Sequence, residues 1–139
     1  MLFRSDTAAG LSALAERLGS GVELPLDTEG DSLHHYPARL ALIQIAEPSG
    51  DVALIDPLGI GDLGPLARVV ADPANVVVLH AGDNDVVELK RRHGVVFGTL
   101  FDTSIGARFL GHRELGLEDR KSTRLNSSHI QKSRMPSSA

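Results

Sequence analysis

Two acidic residues, Asp27 and Glu29, follow the apolar run "GVELPL" with a single residue between them. In an extended strand, residues i and i+2 point to the same side, so both carboxylates would share one face. Two neighbouring hard-oxygen ligands form half of a site for Mg²⁺ or Mn²⁺. The same spacing is also typical of a solvated strand edge or turn, and the pair alone does not decide between these interpretations.

A further acid follows a second apolar run, in "NVVVLHAGDND", where Asp83 and Asp85 come directly after the predicted strand. The carboxyl ends of strands are where open sheets bind ligands, so either acid could join the first pair. Asp85 has a second interpretation, because "DVVE" from Asp85 to Glu88 fits a capping box. In that arrangement its carboxylate would accept the free amide hydrogens at a helix start. The spacing leaves both possibilities open.

The hydrophobic spacing predicts the elements that position these acids. The first segment is a helix, with Asp6 or Thr7 as its cap and Gly19 at its end. Two of the three strands that follow form an antiparallel hairpin through the turn "EPSGD". The predicted order is αβββαβαα, with a short strand near "GTLF" allowed before the last helix. It comes from the segments "DTAAGLSALAERLG", "GVELPLDTE", "ARLALIQIAEP", "DVALIDPL", "DLGPLARVVADP", "NVVVLHAG", "DNDVVELKRRHG" and "DTSIGARFLGH". This order favours the α/β class, with a mixed sheet covered by helices.

Composition limits the functions that these elements can serve. The chain has 139 residues, of which 42% are hydrophobic and 23% charged, and this suits one soluble α/β domain. No apolar run reaches the roughly 20 residues of a membrane span, so no membrane partner is expected. The N-terminus lacks a signal-peptide core, which predicts a cytoplasmic protein. The absence of cysteine excludes disulfides and thiolate metal sites.

Residues 119–139 differ from the rest of the chain, because hydrophobic periodicity stops and Ser, Lys and Arg dominate. By composition they are typical of a disordered basic tail that contacts nucleic acid. The string also resembles, residue for residue, the translation of a common sequencing adapter, so we expect a non-native tail after residue 118. Without the tail the chain is more acidic than its net charge of −4, so phosphate binding would need local basic groups or metal ions.

The segments "LDTEGDSLHHYPARLALIQIAEPSGDVALIDPL" and "VVVLHAGDNDVVELKRRHGVVFGTLFDTSIGARFLG" resemble the ribonuclease D type 3'-5' exonucleases of the DEDD superfamily, which have a ribonuclease H-like fold. The resemblance covers nearly all of residues 7–118. It places Asp27 and Glu29 in the first exonuclease motif, D-x-E, and Asp85 in the second. Asp83 is then expected to be a turn or cap residue.

The resemblance implies catalysis by two divalent ions, Mg²⁺ or Mn²⁺, held by Asp27, Glu29, Asp85 and a fourth acid. The ions would activate water and stabilise the leaving oxygen at the free 3' end of RNA or single-stranded DNA. The family's third motif, a Tyr or His followed by an Asp, does not occur before residue 118. We therefore expect residues 1–118 to be the N-terminal part of an exonuclease domain, inactive by itself. The alternative is a non-catalytic nucleic-acid-binding or interaction domain of the same fold.

Four further residues, Thr28, His35, Tyr36 and His80, are weaker candidates for contacts with nucleic acid. His35 and Tyr36 equally fit a polar loop with one packed tyrosine, and His80 fits a hydrogen-bonded structural histidine because Mg²⁺ prefers oxygen. Two other segments also have two interpretations. The basic run 90–93 could contact phosphate or only complement the helix dipole, and Asp102 with Thr103 could cap the last helix or lie near the site.

Overall fold

The computed structural model describes residues 2–31, 39–113 and 115–116 as six strands and five helices. The chain divides into two compact units, 1–103 and 104–139. The strands are β1 Leu2–Ser5, β2 Glu23–Gly30, β3 Leu40–Ala46, β4 Val52–Ile55, β5 Val76–Leu79 and β6 Leu100–Asp102. The helices are α1 Ala8–Leu18, α2 Pro57–Ile60, α3 Gly64–Ala71, α4 Asp83–His93 and α5 Thr103–Phe109.

The six strands form one mixed sheet in the order β1-β4-β3-β2-β5-β6. The pairs β2–β3 and β3–β4 are antiparallel, whereas β1–β4, β2–β5 and β5–β6 are parallel. This architecture confirms the predicted α/β class and the predicted β3–β4 hairpin. The sequence pattern did not predict β1 or the short helix α2. β1 is a four-residue strand whose partner, β4, begins 50 residues later at Val52, so no local pattern marks it.

Local capping signals account for the helix ends. The Thr7 side chain accepts a hydrogen bond from the Gly10 amide at 3.1 Å, and Gly19 follows the last residue of α1, as predicted. Asp56 caps α2 by accepting the amide hydrogens of Leu58 and Gly59, each at 3.0 Å. Gly94 adopts the left-handed conformation after α4, with φ of 64°, which suits glycine at a helix end.

One face of the sheet in the first unit carries the hydrophobic core. Its buried side chains come from alternate positions of the inner strands, and the register aligns them across the sheet, with Leu26 opposite Ile45 and Ile45 opposite Ala53. Helices α1, α3 and α4 contribute to the same cluster. Its members include Leu11, Leu14, Leu18, Leu24, Leu26, Ile43, Ile45, Ala53, Ile55, Leu66, Val70, Val77, Leu79 and Leu89. Because β2 alternates, Thr28 follows Leu24 and Leu26 on the core face.

A bidentate ion pair joins α1 to the β3–β4 hairpin. Arg17 donates from Nε and Nη2 to the two carboxylate oxygens of Glu47, at 2.9 and 3.0 Å. The Glu47 side chain is only 7% exposed, so it depends on this partner, and its hydrogen bond raises the pKa of Arg17. The pair therefore fixes the first helix against the hairpin turn.

The second unit is described from residue 104 to 113 and at residues 115 and 116. It contains the greater part of α5, which ends in a turn where the His112 amide donates to the Ala107 carbonyl at 3.1 Å. The predicted non-native tail, 119–139, lies outside the described residues. Across residues 2–31, 39–113 and 115–116, none of the helices has the length and apolar character that crossing a membrane requires.

Candidate exonuclease site

Asp27 and Glu29 lie at the carboxyl end of β2, the strand between β3 and β5. Both are exposed and lie on the face opposite the core, with Asp27 opposite Gln44 and Glu29 opposite Leu42 on β3. The register shifts between Glu29 and Gly30, an irregularity of the kind that redirects side chains near functional sites. Neither carboxylate has a hydrogen-bond or ion-pair partner among the described residues, so both can accept a ligand.

Asp85 reaches the same strand end from α4. The Thr28 hydroxyl, between Asp27 and Glu29 in sequence, donates a hydrogen bond to the Asp85 carboxylate. The contact joins residues 57 positions apart and brings the start of α4 to the core face of β2. Asp85 therefore lies beside Thr28, the residue between Asp27 and Glu29 in sequence.

The capping interpretation of Asp85 is wrong. Helix α4 begins at Asp83, three residues earlier than a capping box at Asp85 requires, and its N-cap is Gly82, without a side-chain cap bond. Asp83 is an exposed first-turn residue, and Asp85 also lies in the first turn. Two acids in this turn complement the positive end of the helix dipole. Asp85 thus makes a tertiary contact with β2 and is not the N-cap of α4.

The turn between β5 and α4 has a constrained backbone. Ala81 has φ of 53°, in the left-handed region that L-residues rarely adopt. A Cβ atom added to Gly82 would lie 2.7 Å from both Cβ and Cδ1 of Leu79, so only glycine fits without a shift. The Asp102 carboxylate, at the end of β6, accepts the amide hydrogens of Ala81 at 3.1 Å and Gly82 at 2.9 Å. Sequence spacing did not predict this contact, although Asp102 stands directly after the predicted strand near "GTLF".

His80 directly follows β5 and lies close to the end of β6. Its Nδ1 lies 2.8 Å from the Thr103 hydroxyl oxygen, which donates to the Leu79 carbonyl at 3.0 Å. Because a hydroxyl has one hydrogen, His80 Nδ1 must be the donor in the first contact. This bonding favours the structural interpretation of His80, and its role as a nucleic-acid contact stays a prediction.

A family model described as 3'-5' exonuclease matches residues 3–133 of the chain. The chain belongs to the 3'-5' exonuclease family. Ribonuclease D of Escherichia coli K12 is 37% identical over 105 residues, which cover 76% of this chain and 28% of that enzyme. An exosome complex component 10 homolog of Caenorhabditis elegans is 35% identical over 113 residues, 81% of this chain and 13% of that protein. The resemblance to ribonuclease D is thereby confirmed.

Solved exonuclease structures share the fold. The catalytic core of RRP6 from Trypanosoma brucei superposes with a TM-score of 0.75 at 29% identity, covering 84% of this chain and 32% of that one. Escherichia coli RNase D superposes with a TM-score of 0.68 at 35% identity, covering 81% of this chain and 29% of that one. The chain therefore spans a third or less of the length of these relatives.

Exonucleases of this family use divalent metal ions, and the donors at the end of β2 suit such ions. Asp27 and Glu29 offer exposed carboxylate oxygens on one face, the hard ligands that Mg²⁺ and Mn²⁺ prefer. In residues 2–31, 39–113 and 115–116, no three His, Asp or Glu side chains form a group that could hold a metal. A site shared by Asp27, Glu29 and Asp85 therefore stays a prediction.

The two candidates for nucleic-acid contact that follow the first motif lie outside the described residues. His35 and Tyr36 fall within 32–38, which the structure does not describe. Asp31 precedes that segment and Arg39 follows it. Arg39 donates from its amide and from Nε to the Asp31 carboxylate, at 2.6 and 2.9 Å.

The basic last turn of α4 is partly engaged within the helix. Arg92 pairs with Glu88 one turn earlier, at 2.5 Å between Nε and Oε1. Burial lowers the pKa of His93, and the neighbouring Arg92 lowers it further, against an opposing effect of Glu88. Lys90 and Arg91 are exposed, and their proposed contact with phosphate stays a prediction.

Proposed function

We propose that this chain carries the first two metal-binding motifs of a 3'-5' exoribonuclease that shortens RNA from its free 3' end. The observation that supports the proposal is the contact between Thr28 and Asp85. It joins Asp85 to the residue between Asp27 and Glu29. The match of the 3'-5' exonuclease family model to residues 3–133 also supports the proposal.

Each acid has a distinct part in the proposal. Asp27 and Glu29, exposed on one face, would bind the divalent ions directly, and Asp85 would supply a further oxygen from the first turn of α4. Thr28 would fix the direction of the Asp85 carboxylate by donating to it. When bound, the ions supply an activated water and stabilise the leaving 3' oxygen. The remaining acid and the Tyr or His of the third motif would come from outside residues 1–118.

RNA is the proposed partner because ribonuclease D and exosome component 10 are the similar proteins, and E. coli RNase D is described as an exoribonuclease involved in structured RNA processing. The chain has a net charge of −4, so metal ions would provide the positive charge that attracts a polyanion. The proposal includes a cytoplasmic location and single-stranded DNA as a second possible substrate. It also treats 1–118 as part of the exonuclease domain and 119–139 as a non-native tail.

The test compares this chain with the same chain in which residues 119–139 are replaced by the natural continuation of its gene. Both are incubated with single-stranded RNA or DNA labelled at the 5' end, in Mg²⁺, in Mn²⁺ and with a chelator. We expect metal-dependent shortening from the 3' end in the extended protein and little in the chain of 139 residues. RNA should be the better substrate.

The acids are tested in the extended protein. Asp27→Asn and Glu29→Gln should each lower the rate about 10²–10³-fold, the typical cost of removing one preorganised electrostatic group. Asp62→Asn is the matched control, since Asp62 is an exposed acid that bonds only the nearby Gly64 amide among the described residues. An Asp27→Asn protein that degrades RNA at the parental rate would contradict the proposal. Retention of RNA without any shortening would instead identify the non-catalytic binding domain.

A further inference from the structure

We propose that Asp102 is a positioning residue for Asp85, acting through the turn that begins α4. The inference rests on the proposed function insofar as Asp85 serves an exonuclease site. Asp102 lies at the end of β6, beside Leu79 in the parallel pairing with β5. Its two carboxylate oxygens each accept one of two consecutive amide hydrogens, from Ala81 and from Gly82.

The turn held by Asp102 has features that require an external partner. Ala81 occupies the left-handed region at φ 53°, which is unfavourable for an L-residue because its Cβ approaches the following carbonyl oxygen. Gly82 packs so closely on Leu79 that a Cβ atom would have no room. Helix α4 has no side-chain cap at its N-cap, so its own sequence does not fix the direction of its first turn. The carboxylate of Asp102 compensates by bonding both amides ahead of the helix.

The distance along the helix from this turn to Asp85 is short. Asp85 is the third residue after Gly82, and at about 1.5 Å of rise per residue it lies less than one turn away. A change in the direction of the Ala81–Gly82 turn therefore moves the Asp85 carboxylate by a similar amount. Its partner Thr28 lies on β2, between β3 and β5 in the sheet, and is not part of the turn.

The neighbouring residue, Thr103, makes a different connection. Its hydroxyl donates to the Leu79 carbonyl and contacts His80, so it ties the end of β5 to β6. Asp102 contacts the two residues that follow His80. Thus Thr103, the first residue of α5, holds the end of β5, and Asp102, the last residue of β6, holds the start of α4.

The first experiment measures amide hydrogen exchange by NMR in this chain and in Asp102→Asn. Asparagine keeps the shape but replaces one acceptor oxygen with an amide group that cannot accept a hydrogen bond. We expect exchange at Ala81, Gly82 and the first turn of α4 to become at least about tenfold faster, with Ile43 and Ile45 of β3 unchanged. Equal exchange at Ala81 and Gly82 in both proteins would overturn the proposal, whether or not the protein is a nuclease.

Asp56→Asn is the matched control for this measurement. Asp56 also accepts two amide hydrogens with its carboxylate, but it does so at α2. Both amides bond the same oxygen, Oδ1, which asparagine retains, so exchange at Leu58 and Gly59 and at Ala81 and Gly82 should stay as in the parent. If Asp102→Asn does not fold, Asp102→Glu replaces it, because glutamate keeps the charge and both oxygens but shifts them by one methylene. The same comparison at Ala81 and Gly82 then decides the question.

The second experiment uses the protein extended by its natural continuation and follows RNA shortening as a function of Mn²⁺ concentration. A displaced Asp85 would weaken metal binding, so Asp102→Asn should need about tenfold more Mn²⁺ for half of its maximal rate. Saturating Mn²⁺ should restore most of that rate, with the KM for RNA unchanged, whereas Asp85→Asn should not recover.

The outcomes of the second experiment separate the two proposals. An unchanged Mn²⁺ requirement in Asp102→Asn would overturn the positioning role, even if exchange at the turn increases. A parent protein without nuclease activity would overturn the proposed function, while the exchange measurement would still decide whether Asp102 holds the turn.

Discussion

The Thr28 hydroxyl donates a hydrogen bond to the Asp85 carboxylate, and this contact joins β2 to the first turn of α4. Thr28 points to the core face, whereas Asp27 and Glu29 lie on the opposite face of the same strand. The middle residue of the D-x-E motif therefore has a structural function of its own. It anchors the helix that carries the second motif.

Replacing Thr28 by valine should destabilise the protein by about 1–2 kcal/mol, because the Asp85 carboxylate loses a hydrogen-bond donor. Valine matches threonine in shape and favours strands, so packing and propensity change little. The measurement is urea unfolding of the purified chain. Thr28→Ser keeps the hydroxyl and should retain more stability than Thr28→Val. Equal losses in the two variants would argue against the role of the hydrogen bond.

Gly82→Ala should lower the free energy of unfolding by about 1–3 kcal/mol, the usual cost of overpacking. The added Cβ would lie 2.7 Å from Cβ and Cδ1 of Leu79, which is 4% exposed. The adjacent change Ala81→Gly serves as the control. It relieves the left-handed backbone at φ 53° but increases the entropy of the unfolded chain, so stability should stay within about 1 kcal/mol. Thermal unfolding of both variants tests this prediction, which fails if Gly82→Ala is as stable as the parent.

Arg17→Ala should destabilise the chain by about 1–3 kcal/mol, because it leaves the buried Glu47 carboxylate without its bidentate partner. Arg4→Ala is the comparison, since Arg4 pairs with Asp6 at 3.5 Å and both side chains are largely exposed. Exposed pairs contribute little, so Arg4→Ala should cost less than about 1 kcal/mol. Chemical denaturation measures the free energy of unfolding of both variants. Similar losses of stability in Arg17→Ala and Arg4→Ala would show that the burial of Glu47 does not make its ion pair more important.

The pH dependence of stability should contain a contribution from His93. Its pKa is lowered in the folded protein, chiefly by burial, so the unfolded chain binds a proton at higher pH than the folded chain does. As the pH falls, the unfolded chain takes up this proton before the folded chain does, and this favours unfolding. The free energy of unfolding should therefore decrease below a pH of about 6.5. Above that pH the contribution is constant.

Denaturation midpoints between pH 7.5 and pH 5 measure the effect of His93. His93→Gln removes the titrating group, and the loss of stability on acidification should be smaller than in the parent. The same pH dependence in both proteins would exclude His93 as its source.

Predictions from sequence worked best where the signal lies within a few residues. The Thr7 cap, the glycines after α1 and α4, and the hairpin turn each depend on the conformation of a short segment. The resemblance to exonuclease motifs also depends on short segments, and the family match confirms it. The capping box at Asp85 fitted the same kind of local signal and was wrong, because a distant partner, Thr28, accounts for the acid at that position.

The sequence by itself determined the family and the class of fold, because residue type and spacing carry that information along the chain. Its assignment of Asp27, Glu29 and Asp85 to the first two motifs stays a prediction. Only the tertiary structure decided the pairing of β1 with β4, the contact of Thr28 with Asp85, and the bonds from Asp102 to Ala81 and Gly82. Each of these joins residues 20 or more positions apart. Such contacts form when the packing of strands and helices brings distant segments together, and a local pattern of residues does not specify which distant segments meet.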